Sequence, residues 1–461
     1  MAGPEGAAPI SGRDELVRWF ETGNKPADAW RIGTEHEKLV FRLADLSRPG
    51  WDEPDGIKPL LEGLASEFGW QPVLEHGNII ALKDDAGGSI TLEPGGQFEL
   101  SGAMLENIHE TCEEVHTHLD QVRTICDRLG LGMVGIGFDP KWRREDIKWM
   151  PKGRYRIMRN YMPKVGSLGL DMMLRTCTVQ VNLDYSSEAD MVKKFRVSLA
   201  LQPLATALFA NSPFTEGKPN GFMSFRSHVW TDTDNDRCGM LDFVFEDGFG
   251  FERYTDYILD VPMYFIHRGE DYVDLSGRSF RDFMAGRIEA EDQGYVVRKG
   301  DMPTMEDWSD HVTTAFPEVR MKRYLELRGT DGGPWKRLCA LPALWVGLLY
   351  DQSALDAAWD YVKDWTAEER NYLRDEAPRQ GLNLEFRGRT LAEMGREVLK
   401  ISRAGLQNRG RMDSAGNNET GFLEILDQIA ESGHSPAHWK LEAYHGKWGG
   451  SVDPLFTEYA Y

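Results

Sequence analysis

Apolar residues return every three or four positions between Leu105 and Leu129: Leu105, Ile108, Cys112, Val115, Leu119, Val122, Cys126 and Leu129. That spacing turns one side of a helix toward a core, and Gly130 offers the left-handed stop that ends it. Ile57, Leu60, Leu61 and Leu64 predict another helix over 56–69, and a short one is expected over 14–21. Through the rest of the first three-quarters the pattern shortens toward a period of two. It predicts strands at 32–41, 79–82, 90–92, 98–100, 133–138, 176–184 and 323–328. From Trp335 onward it is helical again, over 335–350, 354–363, 367–374, 390–407, 418–431 and 436–444. Strands gathered ahead of a helical C-terminal part predict an α+β fold with a largely antiparallel sheet flanked by helices. The glycine fingerprints of doubly wound nucleotide folds are missing: no GxGxxG follows a strand, and no GxxxxGK precedes Ser or Thr.

Side chains of a strand face one side at every second residue, and here the polar faces are unusual. Glu35 and Glu37 share a face. Thr178, Gln180, Asn182 and Asp184 form an all-polar face backed by Val179, Val181 and Leu183. Glu326 and Arg328 stand together over Leu325 and Leu327, and Glu93 and Glu99 flank the bend at Gly95-Gly96. For one strand alone, a solvated face is the better explanation. Three strands presenting Glu-x-Glu, Gln-x-Asn and Glu-x-Arg fit solvation less well. On one concave face their oxygens suit a hard cation such as Mg²⁺, shared with nucleotide phosphates. The complementary charge is local. Lys152, Arg154, Arg156 and Arg159 form a basic run, and Arg226 lies near Trp230. Ordinary pairing with the acidic excess explains each of these arginines about as well when it is taken singly.

The acidic excess is large, 53 basic against 74 acidic residues for a formal charge of −21. Such a field repels nucleic acid and anionic membrane surfaces. No apolar stretch approaches the roughly 18 residues of a membrane span, and 338–350 reads as a buried helix. Residues 1–12 are expected to form a disordered leader without the marks of a secretory signal. The five cysteines, Cys112, Cys126, Cys177, Cys238 and Cys339, include no CxxC pair, which favours a reducing cytoplasm over a disulfide framework or zinc site.

Several segments together resemble glutamate–cysteine ligase of the plant type: RIGTEHEK (31–38), ITLEPGGQFELSG (90–102), GRYRIMRNYMP (153–163), LRTCTVQVNLDY (174–185), LFANSPFTEGKPNG (208–221), SFRSHVWTDTD (224–234), VPMYF (261–265) and RYLELRGTDGGPW (323–335). The resemblance extends from about residue 13 to Phe456. It implies a curved sheet of the glutamine-synthetase-like type and a single catalytic unit over 13–461, in place of the roughly three domains that length suggests. The implied reaction is ATP-dependent. The γ-carboxylate of glutamate takes the γ-phosphoryl group of ATP, and the amino group of cysteine then displaces phosphate, the first step of glutathione synthesis. By the same resemblance, Glu35, Glu37, Glu93, Glu99, Gln180 and Glu326 would coordinate Mg²⁺, with Gln180 standing where related ligases often have histidine. Arg226 would hold the α-carboxylate of glutamate with Asn182, Trp230 and Thr176 nearby. Arg154, Arg328 and Glu37 would serve phosphoryl transfer, and Tyr155, with Met158 and Tyr161, would border the cysteine pocket. Cys112 and Cys339 occupy family cysteine positions, whereas the region after VPMYF lacks the plant cysteine pair. The short leader, unlike a plastid transit peptide, favours a bacterial cytoplasmic protein. The partners implied are the small molecules glutamate, cysteine and ATP, with no nucleic acid and no membrane. A ligase acting on another amine, a guanidine kinase and a non-catalytic sensor are the competing readings.

Overall fold

The computed structural model describes residues 8–461. Its centre is one antiparallel sheet whose strands are β1 (Ile32–Arg42), β2 (Gln71–Glu75), β3 (Asn78–Lys83), β4 (Ser89–Leu92), β5 (Phe98–Ser101), β6 (Leu131–Val134), β7 (Thr178–Leu183), β8 (Val319–Met321) and β9 (Leu325–Asp331). Their order is β8-β9-β7-β1-β5-β4-β3-β2, and β6 pairs with the C-terminal half of β1. The long strand β1 is therefore central: its N-terminal half lies between β7 and β5. The helices used below are α1 (Ile108–Leu129), α2 (Gly153–Tyr161), α3 (Glu188–Phe209), α4 (Phe225–Val229), α5 (Met305–Thr313), α6 (Trp335–Leu349) and α7 (Leu391–Arg409).

The alternation along β7 decides how the layers stack. Val179, Val181 and Leu183 are buried in the largest apolar cluster together with residues of α3, α6 and α7, so the opposite face of the sheet is left free to carry function. A second cluster packs Ile90, Leu92, Phe98 and Leu100 against Ile57, Leu60 and Leu64. Helices α6 and α7 cross backbone to backbone. A Cβ at Gly405 would meet the carbonyl of Gly347, a steric reason for glycine at that crossing.

Several expectations need adjustment. The strand predicted over 133–138 stops at Val134. Beyond it, Gly135 and Gly137 press against Gly333 and Asp331, where no side chain fits. The alternation missed α3 entirely, because 22 residues that are buried on nearly every side have no amphipathic stripe to read. Of the expected leader, residues 1–7 lie outside the described residues. Pro9 already pairs with Thr304, and Ile10 is 2% exposed within the core, so packed chain begins before residue 12. Among the described residues, no single helix is long and apolar enough to cross a membrane.

Candidate active site

The free face of the sheet forms the floor of a cavity of about 370 Å³. Register places the acids there. Glu37 lies opposite Glu99 across the β1–β5 ladder, and Glu35 lies opposite Gln180 across β1–β7. Glu93 reaches the same space from the turn between β4 and β5, which closes through Gly96 N–H donating to Glu93 O at 2.9 Å. Gly96 has a φ of 76°, the left-handed region that glycine tolerates. Glu35, Glu37, Glu93, Glu99 and Gln180 all line the cavity.

These acids are sparsely partnered. Glu37 accepts from the backbone N–H of Thr178 at 2.9 Å, Glu35 from the Asn182 amide at 2.7 Å, and Glu99 from the Thr91 hydroxyl at 2.5 Å. Burial, followed by the charges of Glu93 and Glu99, holds the Glu37 carboxyl well above the usual range. Burial, then Glu35 and Glu93, pushes Glu99 up to about 8. Like charges concentrated in a poorly solvated space call for a cation. Yet among the described residues no three His, Cys, Asp or Glu side chains are gathered closely enough to hold a metal ion alone. A hard divalent cation fits these donors only with further oxygens from a phosphate, the habit of Mg²⁺.

Glu326 differs from the others. It is 0% exposed and does not line the cavity. Arg320 grips it with two nitrogens at 2.5 and 3.0 Å, with Lys322 at 3.3 Å and Arg328 at 3.2 Å. Burial pushes this carboxyl up, but the three cations outweigh it and hold it well below the usual range. In the described geometry Glu326 anchors cations, and metal coordination would require it to release one.

Cations stand among these acids. Arg154 on α2, Arg226 on α4, Arg328 on β9, Arg320 on β8 and Lys322 just beyond β8 line the cavity. The register between β9 and β7 shifts between Leu327 and Thr330. Such a bulge re-aims a side chain, and Arg328 is the residue turned inward, donating to Gln180 Oε1 at 2.7 Å. Arg226 donates to the Arg328 carbonyl at 2.8 Å. Arg154 Nε, Arg226 Nε and Trp230 Nε1 are buried without protein partners, so three donors around the cavity are left for a ligand. Trp230, Tyr155, Thr176, Met158, Met172, Met173, Tyr264, Phe265 and Phe316 are also part of the lining.

Two expected residues sit elsewhere. Asn182 orients Glu35 without lining the cavity, and Tyr161 packs edge-on against Tyr264, ring centroids 5.5 Å apart, also off the lining. Thr176 lines it, but its hydroxyl donates to the Met172 carbonyl at 2.6 Å. The sequence reading missed Arg320 and Lys322. Their signal was present: in Val319-Arg320-Met321-Lys322, buried apolar residues alternate with cations. It also passed over Gln97, whose amide donates to the carbonyls of Met173 and Thr176 and braces the acidic turn. Cys112 and Cys339 stand as free thiols with sulfurs 2.8 Å apart, away from this cavity.

The same fold is found in a crystal structure of glutamate–cysteine ligase from Francisella tularensis in complex with AMP, with a TM-score of 0.56 and 13% identity over 93% of this chain and 89% of that one. The chain belongs to glutamate–cysteine ligase family 2, whose model matches residues 31–458. It is 57% identical to the chloroplastic glutamate–cysteine ligase of Nicotiana tabacum over 455 residues, covering 99% of this chain and 84% of the relative. The chloroplastic enzyme of Arabidopsis thaliana is also 57% identical, over 97% of this chain and 83% of its own. These relatives are named as chloroplastic, and that overturns the cytoplasmic expectation: the comparison points to a plastid.

Proposed function

We infer that the protein is an ATP-dependent glutamate–cysteine ligase, joining the γ-carboxylate of glutamate to the amino group of cysteine in the first step of glutathione synthesis. The observation that carries this reading is the gathering of carboxylates and cationic side chains around one cavity, in a chain of this family. A reaction that brings a nucleotide triphosphate to a carboxylate needs both. The phosphates must be neutralised, and the γ-carboxylate must be brought close to the γ-phosphorus despite their repulsion.

Arg226 would take the α-carboxylate of glutamate as a bidentate fork, with Trp230 Nε1 as an additional donor and Asn182 acting indirectly by fixing Glu35. Arg154 and Arg328 would contact the phosphoryl group as it passes to the γ-carboxylate, with Arg320 and Lys322 behind them. Glu35, Glu37, Glu93, Glu99 and Gln180 would hold Mg²⁺ together with phosphate oxygens, and Glu326 would keep the guanidiniums in place. When bound, the metal supplies charge neutralisation and orientation of the phosphates. The apolar wall of Met158, Met172, Met173, Tyr264 and Phe265 beside Tyr155 suits a small, weakly polar side chain on the acceptor. No side-chain nucleophile is required, since the glutamyl phosphate forms on the substrate itself.

The test is ADP release with saturating glutamate and ATP against cysteine, 2-aminobutyrate, serine and leucine, with product masses. Cysteine should be best. 2-Aminobutyrate should react because the thiol is not the nucleophile, serine should be slower because its hydroxyl must shed water, and leucine should fail on volume. Preference for leucine would replace cysteine as the acceptor. No amine-stimulated ADP release would refute the ligase reading. A titration of Mg²⁺ in the same assay tests the metal.

A further inference from the structure

Behind Arg226 lies a carboxylate that never reaches the cavity. Asp331 ends β9, is 1% exposed, and is absent from the cavity lining. Its Oδ2 accepts from the Asn211 backbone N–H and the Ser212 hydroxyl, each at 2.7 Å, and its Oδ1 accepts from the Ser224 hydroxyl at 2.7 Å. A hydroxyl has one proton to give. With both protons committed to Asp331, the two serine oxygens can only accept, and both accept from α4. Ser212 Oγ takes the backbone N–H of Arg226 at 3.1 Å, and Ser224 Oγ, at the N-cap of α4, takes that of Ser227 at 3.2 Å. The other end of Arg226 is tied to the same strand, Nη2 donating to the Arg328 carbonyl. Backbone and guanidinium of one arginine are thus both referenced to β9. The arrangement excludes a side chain at Gly137, whose Cβ would collide with the Asp331 carboxyl group.

We propose that Asp331, acting through Ser212 and Ser224, is the positioning residue for Arg226 and thereby sets affinity for the donor amino acid's α-carboxylate, leaving phosphoryl transfer to the rest of the site. The proposal rests on the ligase reading and on the assignment of Arg226 within it. Asp331→Asn tests the chemistry directly. An amide presents an N–H₂ where one carboxylate oxygen stood: in place of Oδ2 it opposes the fixed N–H of Asn211, and in place of Oδ1 it takes away the acceptor of the Ser224 hydroxyl proton. Loss of one cap of this kind corresponds to about a tenfold change.

The experiment measures KM for glutamate, KM for ATP, kcat and thermal midpoint for Asp331→Asn, Ser212→Ala, Ser224→Ala and Ser224→Thr. Glutamate KM should rise about tenfold in Asp331→Asn and a few-fold in the alanine variants, with kcat and ATP KM within about twofold. Ser224→Thr, which keeps the hydroxyl, should restore most of the loss. In an Arg226→Lys background, Ser224→Ala should add little, because the fork it positions is already gone. An unchanged glutamate KM overturns the proposal. So does a fall of kcat with a rise of both KM values in step with a lowered midpoint, or an equal cost in both Arg226 backgrounds. Absence of glutamate-dependent ADP release from the unmodified protein would overturn the ligase reading, and this proposal with it.

Discussion

Glu99→Gln should stabilise the metal-free protein while abolishing turnover. Glu99 is 7% exposed, faces Glu37 across the ladder, and has the Thr91 hydroxyl as its side-chain partner. Burial and then the charges of Glu35 and Glu93 move its carboxyl from 4.5 to about 8. The folded value lies above the unfolded one, so the folded chain keeps a proton that the unfolded chain releases. The associated stability is fully present below 4.5 and is lost as pH rises through about 8. At about 1.4 kcal/mol per tenfold change in proton affinity, the loss is on the order of 5 kcal/mol at the top of that range. An unfolding entropy of roughly 2.1 cal/mol/K per residue gives a chain of this length about 1 kcal/mol/K, so the effect is about 5 °C in Tm. Glutamine removes the titration. In EDTA, the Tm of the variant should exceed that of the parent by little at pH 5 and by about 5 °C at pH 9. Lys38, pushed down to about 7 by burial, titrates nearby, but it is present in both proteins and largely cancels in the difference. Mg²⁺ with ATP should raise the parent's Tm more than the variant's. A variant less stable than its parent at pH 9 in EDTA would refute the account of Glu99 as an uncompensated buried acid.

Glu326→Gln should behave in the opposite way, losing about 3–5 kcal/mol of stability because Arg320, Lys322 and Arg328 would be left without their common counter-charge; calorimetry at pH 7 reads the sign. Arg226→Lys should weaken glutamate by roughly 1.5–3 kcal/mol, since a point charge cannot reproduce a fork, and initial rates with each substrate varied should show ATP far less affected. If ATP moves instead, Arg226 belongs with the phosphate-binding residues. Gly405→Val should wedge α6 from α7 at the Gly347 carbonyl and cost about 1–3 kcal/mol or more, seen as a lower denaturation midpoint at unchanged KM values for any protein that folds.

Much of this molecule could be read from its residues in order, and the reason is periodicity. Glu35 and Glu37 share a face because strand side chains alternate, and Val179, Val181 and Leu183 declare the buried face of β7 whatever lies beyond it. The helices from Trp335 onward, the cap at Gly130 and the antiparallel class followed from similarly local rules. What the sequence could not decide was register and curvature, because these depend on residues far apart in the chain. Pairing sets Glu37 against Glu99 and Glu35 against Gln180, and one residue of slip would turn each set to the other face. Glu326 shows the limit most clearly. By alternation it belongs with the other acids, yet Arg320, opposite it on the neighbouring strand, makes it an anchor for cations. The Asp331 clamp was equally hidden, since it joins residues 211, 212, 224 and 331 through hydroxyl protons whose direction no linear pattern records. Local chemistry determined which faces are polar; only the tertiary structure decided which charge meets which, because Coulomb and hydrogen-bond energies depend on distances that the folded chain alone sets.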